Sequence, residues 1–148
     1  MYDHILIATD GSEYSEQAVV EGAKLAKVLG SKITIVTAVQ TEAPLIAEGQ
    51  MIGADLRGRR EHATSKAKDI LSSALNIVAQ VNVPVETECV LDMTPYDAII
   101  ETAKAKSCDL IVMASHGRSG LSALLLGSET QKVLTHSTIP VLVHRRDA

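Results

Sequence analysis

The sequence predicts an α/β protein: one domain, doubly wound, with a five-stranded parallel sheet between layers of helices. Three observations predict it. Short apolar runs alternate with stretches of helical period along the whole chain, in the order β-α-β-α-β-α-β-α-β. The short connection between the first helix and the second strand suggests a βαβ unit, with parallel strands and a right-handed crossover. The 148 residues, 46% of them apolar and 22% charged, suit one ordinary domain with a proper core.

Taking the elements in order, Ile5-Leu6-Ile7-Ala8-Thr9 is a short apolar run of the kind buried on both faces of a sheet. It stops at Asp10-Gly11-Ser12, a turn signal with Ser12 placed to cap the next helix. In that helix Ala18, Val19, Gly22, Ala23, Leu25, Ala26 and Leu29 follow i, i+3, i+4 spacing, and Gly30 closes it. Only Ser31 and Lys32 then precede the second strand, 33–39.

Residues 40–55 read as an irregular, lid-like insertion, because Pro44, Gly49 and Gly53 break any period. A long helix follows from Leu56 to Gln80. Its basic start, Arg57, Arg59, Arg60 and His62, reads as a solvated helix end. Val83–Leu91 is the third strand. Thr94-Pro95 opens a helix with proline at its first position, and Tyr96, Ala98, Ile99, Ile100 and Ala103 give it an apolar face. Asp109–Ala114 is the fourth strand, Ser128–His136 a helix, and Ile139–His144 the last strand.

The chemistry of the chain excludes several functions. Fourteen Lys and Arg against 18 Asp and Glu leave a formal charge of −4, the wrong sign for a surface that neutralises phosphates along a nucleic acid. Three Tyr with no Phe or Trp offer almost no platform for base stacking. No apolar run reaches the roughly 20 residues that span a bilayer, and Met1–Ile7 carries no basic leader or cleavage site. A cytoplasmic protein without membrane insertion is expected. Cys89 and Cys108 read as two buried small hydrophobes, and the five His show no pairing at metal spacing. G-x-x-x-x-G-K-[ST], G-x-G-x-x-G after the first strand, and G-x-S-x-G are all absent.

In an open parallel sheet, ligands bind beyond the carboxyl ends of the strands where strand order reverses. The residues leaving those ends here are Thr9, Asp10 and Gly11, then Ala38, then Ser115-His116-Gly117-Arg118-Ser119-Gly120 and Gly127-Ser128. The last stretch has the parts of an anion site. Glycines let backbone N–H groups approach a phosphate, and Gly127-Ser128 opens a helix whose N-terminus favours negative charge. Ser119, Ser128 and Thr130 add hydroxyls, and Arg118 adds a positive charge. The same residues equally describe a glycine-rich loop and a Ser-capped helix that bind nothing, and spacing alone leaves both open. Asp10 can accept ribose hydroxyls, or it can close an Asx-turn on Ser12. His116, a lone histidine in a glycine loop, is expected to satisfy a backbone group rather than to act in catalysis.

At this point the chain resembles the universal stress protein family over essentially its full length. The resemblance rests on the opening Ala8-Thr9-Asp10-Gly11-Ser12 and on the closing SHGRSGLSALLLGSETQKVL and IPVLV stretches. Nucleotide-binding members of that family carry G-2x-G-9x-G-[ST] after the fourth strand. Here Gly117, nine residues, Gly127 and Ser128 match, and Ala114 replaces the first glycine. As the last strand residue, Ala114 needs only a negative φ, which alanine accepts.

The resemblance implies a Rossmann-like fold of the adenine nucleotide alpha hydrolase type with strand order 3-2-1-4-5. It implies a regulatory module that binds ATP, AMP or ADP, with Mg2+ arriving on the nucleotide. Ala8, Thr9, Asp10 and Ala38 would line the adenine and ribose, with Met113 and Ala114 as the floor. Gly117, Arg118, Gly127, Ser128 and the backbone N–H of Glu129 would face the phosphates. It further implies a homodimer paired through the C-terminal strand and a regulated protein partner such as a transporter. A slow ATPase, or a member without nucleotide acting through protein contacts, are the alternatives.

Overall fold

Ile5, Leu6 and Ile7 are wholly shielded from solvent, and burial on both faces puts their strand, β1 (His4–Ala8), at the centre of the sheet. The structure is a computed structural model that describes residues 1–41, 53–117 and 125–146. After β1 come α1 (Glu13–Leu29), β2 (Lys32–Val39), α2 (Gly53–Ala79), β3 (Val85–Leu91), α3 (Pro95–Ala105), β4 (Leu110–Ala114), α4 (Ser128–His136) and β5 (Val141–His144). The sheet runs β3-β2-β1-β4-β5, and every neighbouring pair is parallel.

The predicted helix signals act as expected. The Ser12 side chain accepts from the Ser15 amide at the start of α1, and Gly30 ends the helix at φ 71°, a left-handed conformation that favours glycine. Pro95 sits in the first turn of α3, where its missing N–H interrupts no hydrogen bond. Side-chain alternation along β1 then divides the core in two. Ile5 and Ile7, with Ile33, Ile35 and Val112, face Val19 and Ala23 of α1 and Leu71 and Val78 of α2. Leu6 and Ala8, with Val36, Ile111 and Met113, face Ile99 and Ala103 of α3 and Val133 of α4. At Gly22 α1 lies so close to the sheet that an added Cβ would stand 2.7 Å from Cδ1 of Ile7. Burial of each large aliphatic side chain contributes about 1.5–3 kcal/mol.

Some expectations need correction. Gln40 and Thr41 follow β2 as irregular chain, but α2 begins at Gly53, inside the expected 40–55 insertion. First-turn amides donate nothing to the helix ladder, so a glycine there breaks no bond. The rest of that insertion lies outside the described residues. The fourth strand starts at Leu110, one residue later than expected; Asp109 lies just before it, its carboxylate accepting from the amides of Asp3 and His4. Cys108 is buried, and burial pushes its thiol up to about 11. Cys89 is exposed, because β3 is an edge strand with one neighbour. Arg57 and Arg60 are exposed, in keeping with a solvated helix start.

Candidate functional site

The chain leaves β1 toward β2 on one side and later reaches β4 on the other, so the strand order reverses between β1 and β4. A cleft of about 340 Å3 opens there, beyond the carboxyl ends of those strands. Its volume lies in the range of about 300–1,000 Å3 typical of small-molecule sites.

One half of the cleft is apolar. Ala8, Val36, Ala38 and Met113 rise from three adjacent strands, and Ile99 closes over them from α3. The other half is turn backbone. Asp10 leaves β1 and folds back, its Oδ1 accepting from the Ser12 amide and the Ser15 hydroxyl, both at 2.9 Å. The Asx-turn is therefore formed. The Oδ2 atom faces Gly117, where an added Cβ would stand 2.7 Å from it. Thr9 is buried, and its hydroxyl lies 3.0 Å from that of Ser15 and accepts from the Gly11 amide.

Gly127 is the N-cap of α4 and makes no side-chain bond to the first turn. Its own amide donates to the Ser115 carbonyl at 2.7 Å, and an added Cβ would meet that oxygen at 3.1 Å. Its φ is −61°, so the requirement for glycine here is space, not backbone conformation. The positive end of α4 thus abuts the Ser115–Gly117 turn, and its N-cap glycine supplies no side chain to the first-turn amides.

Of the residues singled out in the sequence, Ala8, Thr9, Asp10, Ala38, Met113, Ala114, Gly117, Gly127, Ser128, Glu129 and Thr130 all line this cleft. Arg118 and Ser119 lie outside the described residues. Two details, at Thr130 and His116, differ from expectation, and the Glu129 side chain takes a direction the sequence left open. The Thr130 hydroxyl, expected as a donor to an anion, is buried and donates to the Ala114 carbonyl at 3.0 Å. The Glu129 carboxylate turns out of the cradle, and its Oε2 accepts from the Tyr96 amide at 2.8 Å. His116 serves no backbone group among the described residues: Nδ1 lies 3.0 Å from the Ser115 hydroxyl, and Nε2 is buried without a hydrogen-bond partner.

Val36, Pro95, Ile99, Ser15 and His116 also line the cleft and were not singled out as site residues. Two carried a readable signal. Val36 stands two positions before Ala38 and shares its face, and Ile99 stands one helical turn after Pro95. Among the described residues no group of three His, Cys, Asp or Glu could hold a metal ion. Among them, too, no helix is long and apolar enough to cross a membrane.

Comparison with known proteins gives a consistent result. The sequence profile of the Universal stress protein family matches residues 1–145. Universal stress protein YxiE of Bacillus subtilis is 32% identical, over 98% of this chain and 100% of its own. The structure of universal stress protein UspA from Lactobacillus plantarum superimposes with a TM-score of 0.81 at 25% identity, covering 97% of this chain and 98% of that one. A universal stress protein crystallised in complex with cAMP superimposes at 0.73 with 26% identity, covering 99% of both. Fold, strand order and sequence agree: this chain belongs to the universal stress protein family.

Proposed function

We propose that the cleft binds an adenine nucleotide, ATP carrying Mg2+ ahead of AMP or ADP, and that the protein is a regulatory binding module. The observation that carries this reading is the junction of two surfaces. An apolar slot of Val36, Met113 and Ile99 suits a purine, and it runs into a glycine-capped helix N-terminus flanked by Gly117 and Gly127, which suits phosphates. A family relative in complex with cAMP supports an adenine nucleotide as the ligand. Mg2+ would be held by the phosphates, because the described protein side chains form no metal cluster.

The site favours binding over turnover. Phosphoryl transfer needs a positioned attacking group and fixed cations. The sequence offers this loop one cation, Arg118, which lies outside the described residues, and His116 as the conceivable base. Purified protein, heat-denatured and chromatographed, should release adenine nucleotide in near-stoichiometric amount, or the native protein should bind added Mg-ATP at micromolar level by calorimetry. Absence of both would defeat the reading. Steady ATP hydrolysis lost in His116→Ala would replace it with an enzyme.

The assembly proposed is a homodimer through β5 in the cytoplasm. β5 is an edge strand, and Leu142 on it is 40% exposed, a combination that invites pairing. Light scattering should give twice 15.7 kDa for the unmodified protein and 15.7 kDa for Leu142→Asp.

A further inference from the structure

The N-termini of α3 and α4 both border the cleft, and the Glu129 carboxylate of α4 reaches the first turn of α3. At α3 the N-cap Thr94 bonds to no amide of its own first turn; its hydroxyl donates to the carboxylate of Asp97 in that turn instead. The Tyr96 amide in that turn is taken by Glu129 of α4 at 2.8 Å. Glu129 stands in the first turn of α4, where an acidic side chain normally turns back on its own helix. Drawn across to α3, it leaves the first turn of α4 without its own acidic side chain, and the N-cap Gly127 supplies none.

The same helix steadies this arrangement. Lys132 lies 3.6 Å from Glu129 Oε1, its ammonium 5.4 Å from the centre of the Tyr96 ring, and His136 packs against that ring at 5.5 Å. Glu129 and Lys132 are 35% and 50% exposed, so both charges still act on the cleft mouth through partial solvent screening.

We propose that Glu129 is a specificity-determining residue of the cleft: lent to the α3 N-terminus, it leaves the α4 N-terminus to an external anion, and its charge, balanced by Lys132, sets how strongly affinity depends on the number of phosphates. The inference rests on the nucleotide reading above. Neutralising Glu129 leaves Lys132 as an unbalanced positive charge one turn into α4, which favours a polyphosphate. Neutralising Lys132 leaves the carboxylate unbalanced, which opposes one. A neutral nucleoside feels neither.

The test is calorimetry on the full chain with Mg-ATP and with adenosine, for the unmodified protein, Glu129→Gln and Lys132→Gln. The ratio of ATP to adenosine affinity should rise about two- to fivefold in Glu129→Gln and fall by a similar factor in Lys132→Gln, as partly exposed charge pairs allow. The glutamine oxygen still accepts from Tyr96, so hydrogen exchange at that amide should stay slow in Glu129→Gln and quicken in Glu129→Ala. A ratio that is unmoved, or that moves the same way in both variants, overturns the inference while leaving nucleotide binding intact. An unmodified protein that binds neither ligand overturns the nucleotide reading, and the inference with it.

Discussion

The two ends of the sheet solve opposite problems with similar residues. At the amino end of the strands, polar side chains are paired with one another. His4 is buried with Nε2 2.7 Å from the Thr34 hydroxyl, and Thr34 donates to Glu86 at 2.9 Å. Lys106 lies 2.8 Å from Glu88 and 3.4 Å from Glu86. Asp109 accepts from two amides of the chain entering β1. At the carboxyl end the pairing is incomplete. Gly117 and Gly127 bring bare backbone together, the N-cap of α4 has no side chain to give its first turn, and among the described residues Nε2 of His116 is buried without a partner. Satisfied groups lower the energy of the fold, whereas groups left open keep interaction energy for a ligand. The comparison teaches that one end holds the protein together and the other is free to bind.

That division can be broken at either end. The largest effect is expected at Gly127. Valine there would drive its side chain against the Ser115 carbonyl, 3.1 Å from the Cβ position, and would displace the turn that meets α4. Mg-ATP affinity should fall at least about 100-fold, equivalent to about 2.7 kcal/mol. Far-UV circular dichroism should be unchanged, since the core is untouched. Unaltered affinity in folded Gly127→Val would remove the phosphate end from the proposed site.

Asp109→Ala should do the reverse. It deprives the amides of Asp3 and His4 of their acceptor, and urea unfolding should show a loss of about 1–3 kcal/mol. Nucleotide affinity should stay the same, because the change lies at the far end of β1 and β4. A smaller effect at the open end is expected from Gly117→Ala. Its Cβ would stand 2.7 Å from Asp10 Oδ2, and shifting a carboxylate tied to Ser12 and Ser15 should cost nucleotide affinity about tenfold, near 1.4 kcal/mol. Loss of global stability without loss of binding would assign Gly117 to the wrong end.

The finest prediction concerns pH. Burial, reinforced by the charge of Lys32, lowers the pKa of His4 below its ordinary 6.5. The unfolded chain therefore takes up the proton first as pH falls, and stability present above about pH 6.5 should decline below it. Asp109 acts lower on the scale. Its burial works to raise the pKa, but the amide bonds from Asp3, His4 and its own backbone outweigh it, and the carboxyl is held below 3.8. Its contribution is present above that value and disappears as pH falls through the folded pKa. Urea midpoints from pH 7.5 to 5.5 should fall in the unmodified protein and flatten in His4→Asn. An equal slope in both would show that His4 is not the group responsible.

Much of this was legible before the structure. Ser12, Gly30 and Thr94-Pro95 marked helix ends because caps and breakers act over a few residues. Apolar runs marked β1 and β4 as central because only strands covered on both faces are apolar at every position. The glycine motif known from the family resemblance pointed to Gly117 and Gly127, and both line the cleft.

The amino-acid sequence by itself thus determined the order of elements, their caps, the central strands and the register of the glycine motif. Each is set by local sterics, hydrogen bonding over one turn, or periodicity. Only the tertiary structure decided which partner each polar group takes. Thr130 could have offered its hydroxyl to an anion, but the packing of α4 places it under the Ala114 carbonyl. Glu129 could have capped its own helix, but α3 stands closer to its carboxylate. Cys89 and Cys108 are the same residue type in strand-like surroundings, yet one is exposed because its strand lies at the edge. In each case the deciding neighbour is distant in sequence, and a hydrogen bond or a buried contact goes to whatever the fold brings within about 3–4 Å.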